Sequence, residues 1–157
     1  EFVYTLDVSP DGRFLAATGR RGRTVVCDVP GTRVVATLPP HGDGIFYATG
    51  AFSPDGKYLG VGSGVGLRVW EVGKWAAPET TVGTDASGLV GFDPAAKTVT
   101  TAPVQTANGV ARLVRWDRAT GKVVATADVP LAQLWNHTGL APDGEAVVAY
   151  ALNAATL

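Results

Sequence analysis

A four-residue turn returns four times along this chain at nearly constant spacing, and no other feature restricts the possible folds as much. It sits in DVSPDGRFLAA from Asp7, AFSPDGKYLGV from Ala51, VGFDPAAKTVTT from Val90 and GLAPDGEAVVA from Gly139. The prolines Pro10, Pro54, Pro94 and Pro142 are 44, 40 and 48 residues apart. A second marker keeps the same time. VVCDV ends at Val29, RVWEV at Val72 and LVRWDR at Arg118, so Cys27-Asp28, Trp70-Glu71 and Trp116-Asp117 step by 43 and 46 residues. Two independent markers on one period define a repeated supersecondary unit.

The chemistry of the turn explains why its residues recur. In Ser-Pro-Asp-Gly the proline presets φ at the first corner, the aspartate bonds nearby backbone, and the glycine takes the left-handed conformation that closes a hairpin. Ser9-Pro10-Asp11-Gly12 and Ser53-Pro54-Asp55-Gly56 match fully, and Ala141-Pro142-Asp143-Gly144 lacks only the serine. Asp93-Pro94-Ala95-Ala96 has no glycine, so a looser or differently built turn is expected there. A further hairpin is expected after each Trp-Asp position, at Pro30-Gly31-Thr32 and Ala119-Thr120-Gly121-Lys122, through their glycines.

The runs between turns are β-branched and too short for helices. Strands are expected near 2–9, 14–19, 24–29 and 33–38, then near 45–53, 57–63, 67–72 and 79–83. A third set falls near 87–92, 97–103, 110–117 and 122–128, and a fourth begins near 133–140 and 145–151. Several runs are apolar on both faces, as sheets sandwiched between sheets require. Four short strands per repeat of about 44 residues, with a Trp-Asp dipeptide, are the signature of propeller blades. The expected fold is all-β: β-propeller blades of four-stranded antiparallel sheets in an incomplete ring. The blades are approximately 1–40, 41–84, 85–130 and an incomplete 131–157.

The chain resembles the WD40-repeat family over its whole length. FSPDGKYLGVGSGVGLRVWEV (Phe52 to Val72) and LVRWDRATGKVVAT (Leu113 to Thr126) carry the resemblance. It implies a partial propeller of degenerate, bacterial-type repeats and a scaffold for protein interaction. The family's repeats also hold a buried network of histidine, aspartate, Ser/Thr and tryptophan. Here His41 alone suits the histidine place, Arg21 and Val65 stand at the aspartate places, and Cys27 replaces the first tryptophan. The network is therefore expected to be broken in every blade.

Composition narrows the function. A net charge of −1 provides no field to gather nucleic acid or an anionic membrane, and neither partner is expected. No apolar stretch reaches the roughly 20 residues of a membrane-spanning helix. The single cysteine cannot form an internal disulfide, which leans towards the cytoplasm. With no methionine and Glu1 first, the sequence is read as part of a longer chain. The partners expected from an open ring are the remaining blades in cis, or a second copy completing it.

No catalytic, cofactor or metal site is expected. Cys27 falls in a strand, as an inert core residue; His41 and His137 belong to different blades; the turn aspartates Asp11, Asp55 and Asp143 recur for conformational reasons. Gly62-Ser63-Gly64 lies in a strand and turn, not before a helix as a phosphate loop would. The most informative surface feature is Arg20-Arg21-Gly22-Arg23, in a turn on the same rim as Pro39-Pro40-His41-Gly42-Asp43-Gly44. Arg20, Arg21, Arg23, His41 and Asp43 are the expected partner-binding residues, suited to an acidic or phosphorylated peptide. The expected function is a non-catalytic protein- or peptide-binding or scaffolding module within a larger multidomain protein. The alternative is a segment of an enzymatic propeller, lactonase-like or quinoprotein-like, whose active-site residues lie mostly outside this stretch.

Overall fold

A computed structural model describes residues 2–42, 48–83, 89–102, 110–130, 138–140 and 147–149. They form β1 (Val3–Val8), β2 (Phe14–Gly19), β3 (Thr24–Asp28) and β4 (Arg33–Leu38), with a 3-10 turn at Arg20–Gly22. β5 (Ala48–Phe52), β6 (Tyr58–Ser63), β7 (Gly66–Glu71) and β8 (Thr80–Gly83) follow. Next come β9 (Leu89–Phe92), β10 (Thr98–Ala102), β11 (Val110–Asp117) and β12 (Val123–Pro130), and then β13 (Thr138–Leu140) and β14 (Val147–Ala149). The first twelve make three four-stranded antiparallel sheets, each with its strands in chain order, and β13 pairs with β14. The all-β expectation is met, strand by strand. His137 and Asp143 lie outside the described residues.

The first strand of each sheet is innermost. β1 lies against β5, β5 against β9, and β9 against β13. Side chains of β1 reach backbone amides of β5: the Gly50 amide donates to Thr5 Oγ1 at 3.2 Å and the Phe52 amide to Asp7 Oδ2 at 2.6 Å.

Between the first and second sheets, Ala16, Val26 and Leu38 meet Phe52, Leu59, Val61 and Trp70. Between the second and third, Leu67, Val69 and Val82 meet Val90, Phe92, Val99 and Trp116. The second sheet is therefore buried on both faces, which is why its strands alternate so little between apolar and polar residues. Each large apolar side chain removed from water contributes about 1.5–3 kcal/mol.

The recurrent turns are built alike. The Ser9 hydroxyl donates to Asp11 at 2.6 Å and accepts the Phe14 amide at 2.8 Å, and Ser53 does the same with Asp55 and the Tyr58 amide. The Ser9 hydroxyl, followed by the Arg13 amide, holds the Asp11 carboxyl below its ordinary pKa. Gly12 and Gly56 close their turns at φ 72° and 71°.

The third turn is differently built, as one of the two expectations had it, and not looser, for Ala96 takes φ 52° and its amide reaches the Asp93 carbonyl at 2.9 Å. Asp93 Oδ1 replaces the serine hydroxyl, accepting the Thr98 amide at 2.6 Å. The strands on either side dictate the turn, and alanine accepts the strain of a left-handed conformation. In Pro30-Gly31-Thr32, Thr32 rather than the glycine has the positive φ, 50°. At Gly31 an added Cβ would lie 2.3 Å from Asp28 Oδ2, so the carboxylate would have to shift.

Candidate functional site

Between β2 and β3 the chain reverses in four residues, and buried hydroxyls anchor both ends of the reversal. Thr18 Oγ1 and Thr24 Oγ1 share a hydrogen bond of 3.0 Å, and the Gly19 amide donates to the Arg23 carbonyl at 2.9 Å. The intervening turn places Arg21 at φ 64°, ψ 17°, a left-handed conformation uncommon for a residue with a side chain. Arg20, Arg21 and Arg23 are exposed, whereas Gly22 between them is buried.

His41 accounts for that pattern. Its amide donates to the Arg21 carbonyl at 2.9 Å, and its ring lies under Gly22, where an added Cβ would meet Cδ2 at 3.0 Å. The ring is turned inward between the first two sheets. Nδ1 shares a hydrogen bond of 2.8 Å with Ser63 Oγ, and the Trp70 ring is 6.4 Å away, centre to centre. Arg68 Nη1 donates to the carbonyls of Pro39 and Pro40 at 3.4 and 3.2 Å, fixing the path of the chain into His41.

Burial, then the nearby Arg68 charge, lowers the His41 pKa from 6.5 to about 4. At neutral pH the imidazole is uncharged. It supports the turn from below, and Arg20, Arg21 and Arg23 are exposed residues of that turn. Asp43 lies outside the described residues.

Sequence reasoning missed Ser63, Arg68 and Trp70 as supports of this turn. They are distant along the chain, and only the packing of the second sheet on the first brings them near. The expectation of a network broken in every blade is corrected in part. The His41–Ser63 pair survives between the first two sheets, and in the third Trp116 Nε1 donates to Thr101 Oγ1 at 2.9 Å. Cys27, expected in the core, is half-buried on the face of the first sheet that points away from the second.

At the opposite end of the first sheet Asp28 Oδ1 and Oδ2 lie 3.5 and 3.7 Å from Arg13 Nε and Arg33 Nε, one carboxylate between two guanidiniums. Among the described residues no group of three or more His, Cys, Asp or Glu side chains is placed to hold a metal ion. The Arg20–Arg23 turn brings planar, permanently charged donor groups together on a backbone held from beneath.

No protein-family profile matches the chain. An uncharacterized WD repeat-containing protein of Synechocystis sp. is 27% identical over 125 residues, which cover 79% of this chain and 34% of that protein. Among solved structures, Kuenenia stuttgartiensis hydrazine synthase superposes with a TM-score of 0.70 at 21% identity, over 90% of this chain and 41% of that one. The chain thus spans about a third of its sequence relative and two fifths of its structural neighbour. With three four-stranded antiparallel sheets joined innermost strand to innermost strand, the fold of this chain is that of β-propeller blades.

Proposed function

We propose that this chain belongs to a WD40-type propeller acting as a non-catalytic docking platform, with the Arg20–Arg23 turn as its contact for an acidic or phosphorylated peptide. The observation that carries this reading is the left-handed Arg21, held by the His41 amide with its side chain exposed. Backbone strain of this kind costs about 1–3 kcal/mol and persists where surrounding structure over-determines it, often at ligand-contacting turns. Here it fixes the backbone that carries Arg20 and Arg21 before any partner arrives. Preorganised guanidinium forks lose little freedom on pairing with carboxylate or phosphate. The WD repeat-containing relative supports the WD40 assignment.

The test is binding of a fluorescent peptide rich in glutamate and phosphoserine to the full-length protein. An Arg20→Ala, Arg21→Gly variant keeps a residue that tolerates the turn and removes two cations. Binding should weaken about tenfold or more, as expected for losing charge-assisted hydrogen bonds, with no fall in melting temperature. Equal binding by variant and wild type, or none by wild type, would overturn the site.

A further inference from the structure

The outermost strands of the three sheets differ in how much free edge they leave for a neighbour. β8 has only four residues, and Thr80 and Val82 on it are buried. β4 has a bulge, after which only residues 36–38 stay in register with β3, and Leu38 is 0% exposed. Arg68 of the second sheet then bonds the Pro39 and Pro40 carbonyls just past it. β12 is eight residues long and keeps residues 125–130 in unbroken register with residues 110–115 of β11. Residues 123–128 are all exposed, and among the described residues β12 has a partner strand on one side alone.

Proteins ordinarily blunt such an edge with lysine, proline or a bulge. Here the bulge lies before Ala125, and the segment VVATAD carries neither lysine nor proline. Its one charge, Asp128, is taken up by Arg112 of β11 through bonds of 2.8 and 3.0 Å.

Pro130 fixes which backbone groups this edge presents. It has no N–H, so its pair with Val110 is a non-hydrogen-bonded one. The alternation of an antiparallel ladder then makes Ala111–Val129, Leu113–Ala127 and Arg115–Ala125 the bonded pairs. Thr126 and Asp128 therefore direct both N–H and C=O away from β11. Two such residues flanking Ala127 are self-complementary. In an antiparallel copy centred on Ala127, Thr126 faces the second copy's Asp128, and Asp128 faces its Thr126, so every outward N–H of the two residues meets a carbonyl. No like charges come opposite, because each Asp128 meets a threonine whose hydroxyl can donate to it. The small Ala127 meets its own counterpart as a non-hydrogen-bonded pair, with Cα atoms about 4.5 Å apart.

We infer that the outer edge of β12 is a pairing surface for the same edge of a second copy of this chain, joining two four-stranded sheets into one continuous sheet. The join lies on the perimeter, away from the faces on which sheets stack and independent of the basic turn. A strand-to-strand contact is small, so the association is weak and rises with concentration.

The test uses full-length protein carrying Ala127→Cys, oxidised at about 100 µM, a concentration suited to a weak contact. The covalent dimer is followed on a non-reducing gel beside Ala125→Cys. Paired residues 127 lie within the Cα range of a disulfide, whereas two residues 125 would stand about 14 Å apart along the strands. Ala127→Cys should cross-link at least about tenfold faster than Ala125→Cys or the unsubstituted protein. Equal rates would overturn the inference. A second measurement needs no cysteine. The solution mass of the unsubstituted protein should rise with concentration towards a dimer. Ala127→Glu and Ala127→Lys should each abolish the rise by setting like charges opposite one another, and an equimolar mixture of the two should restore it. An unsubstituted protein that stays monomeric, or a rise that persists in both variants, would sink the proposal. Ala127 is exposed, so neither variant disturbs the core.

Discussion

The two sheet-to-sheet interfaces are built on the same repeat and satisfied in different ways. Each buries a tryptophan at the end of a third strand, Trp70 in one and Trp116 in the other. Trp116 donates to Thr101, two residues along β10 from its cross-strand partner Val99. In the second sheet the corresponding residue is Val61, and Trp70 Nε1 has no hydrogen-bond partner among the described residues. The repeat therefore preserves the shape of the indole slot more faithfully than its polar contacts.

Each interface then has its own polar tie. Between the first two sheets it is His41, bonded to Arg21 and Ser63. Between the second and third it is Arg118, whose guanidinium lies 3.7 Å from the Tyr58 ring centre, pairs with Glu79 and donates to the Ala96 carbonyl at 2.8 Å. Thr80 Oγ1 also donates to the Arg118 carbonyl at 2.6 Å. One tie is a buried neutral ring and the other a largely buried cation, so acid, salt and mutation should act on them differently.

The most severe way to break the comparison is Trp70→Ala. Removing a fully buried indole from a packed interface should cost about 3–5 kcal/mol in urea unfolding. A cost below about 1 kcal/mol would mean the slot collapses, contrary to the packing seen here.

Acid should discriminate between the ties. His41 has a folded pKa of about 4 against 6.5, so between those values the unfolded chain binds a proton that the folded chain refuses. Its stabilising contribution is complete above about pH 6.5, falls as pH drops through that window and levels off below about pH 4. The full loss is about 3 kcal/mol. Chemical denaturation at about pH 7 and about pH 4.5 checks it, and His41→Asn, which cannot titrate, should flatten the dependence.

Arg118→Ala should cost about 2 kcal/mol, because it removes a charged hydrogen bond and a cation–π interaction together. Unlike the His41 effect it should change little between about pH 7 and about pH 5. The same melting shift at both values, read by circular dichroism, is the expected outcome.

A smaller contrast lies in the indole partners themselves. Thr101→Val leaves the Trp116 N–H unpaired and should cost about 1–2 kcal/mol, while Val61→Thr gives Trp70 a partner and should stay within about 0.5 kcal/mol of wild type. Equal costs would show that the hydroxyl contributes nothing specific to the indole. Smallest of all, Ala96→Gly should stabilise the third turn by about 0.5 kcal/mol, whereas Gly56→Ala should destabilise the second by about 1 kcal/mol.

Much of the fold was legible because the repeat encodes local geometry. Proline, aspartate and glycine act within a few residues of one another, so turns and strand ends can be read from short windows, and β2 and β4 fall at Phe14–Gly19 and Arg33–Leu38 as expected. The third turn was legible only as one of two alternatives, because Ala96 lacks the freedom that makes a left-handed conformation easy for glycine, yet the paired strands impose it. The basic turn was legible as exposed charge. Its support was not, since nothing local marks Ser63 or Arg68 as neighbours of His41.

Strand length, turn placement and the apolar character of both sheet faces follow from the sequence alone, because period-two side-chain alternation and turn sterics are properties of short segments. The tertiary structure alone decided that His41 faces inward and is neutral, that Trp116 is satisfied while Trp70 is not, and that β12 is exposed along its length while β8 is partly buried. Each of these depends on which residue from another sheet arrives within a few ångströms, and burial and hydrogen bonding exist only once the sheets have met.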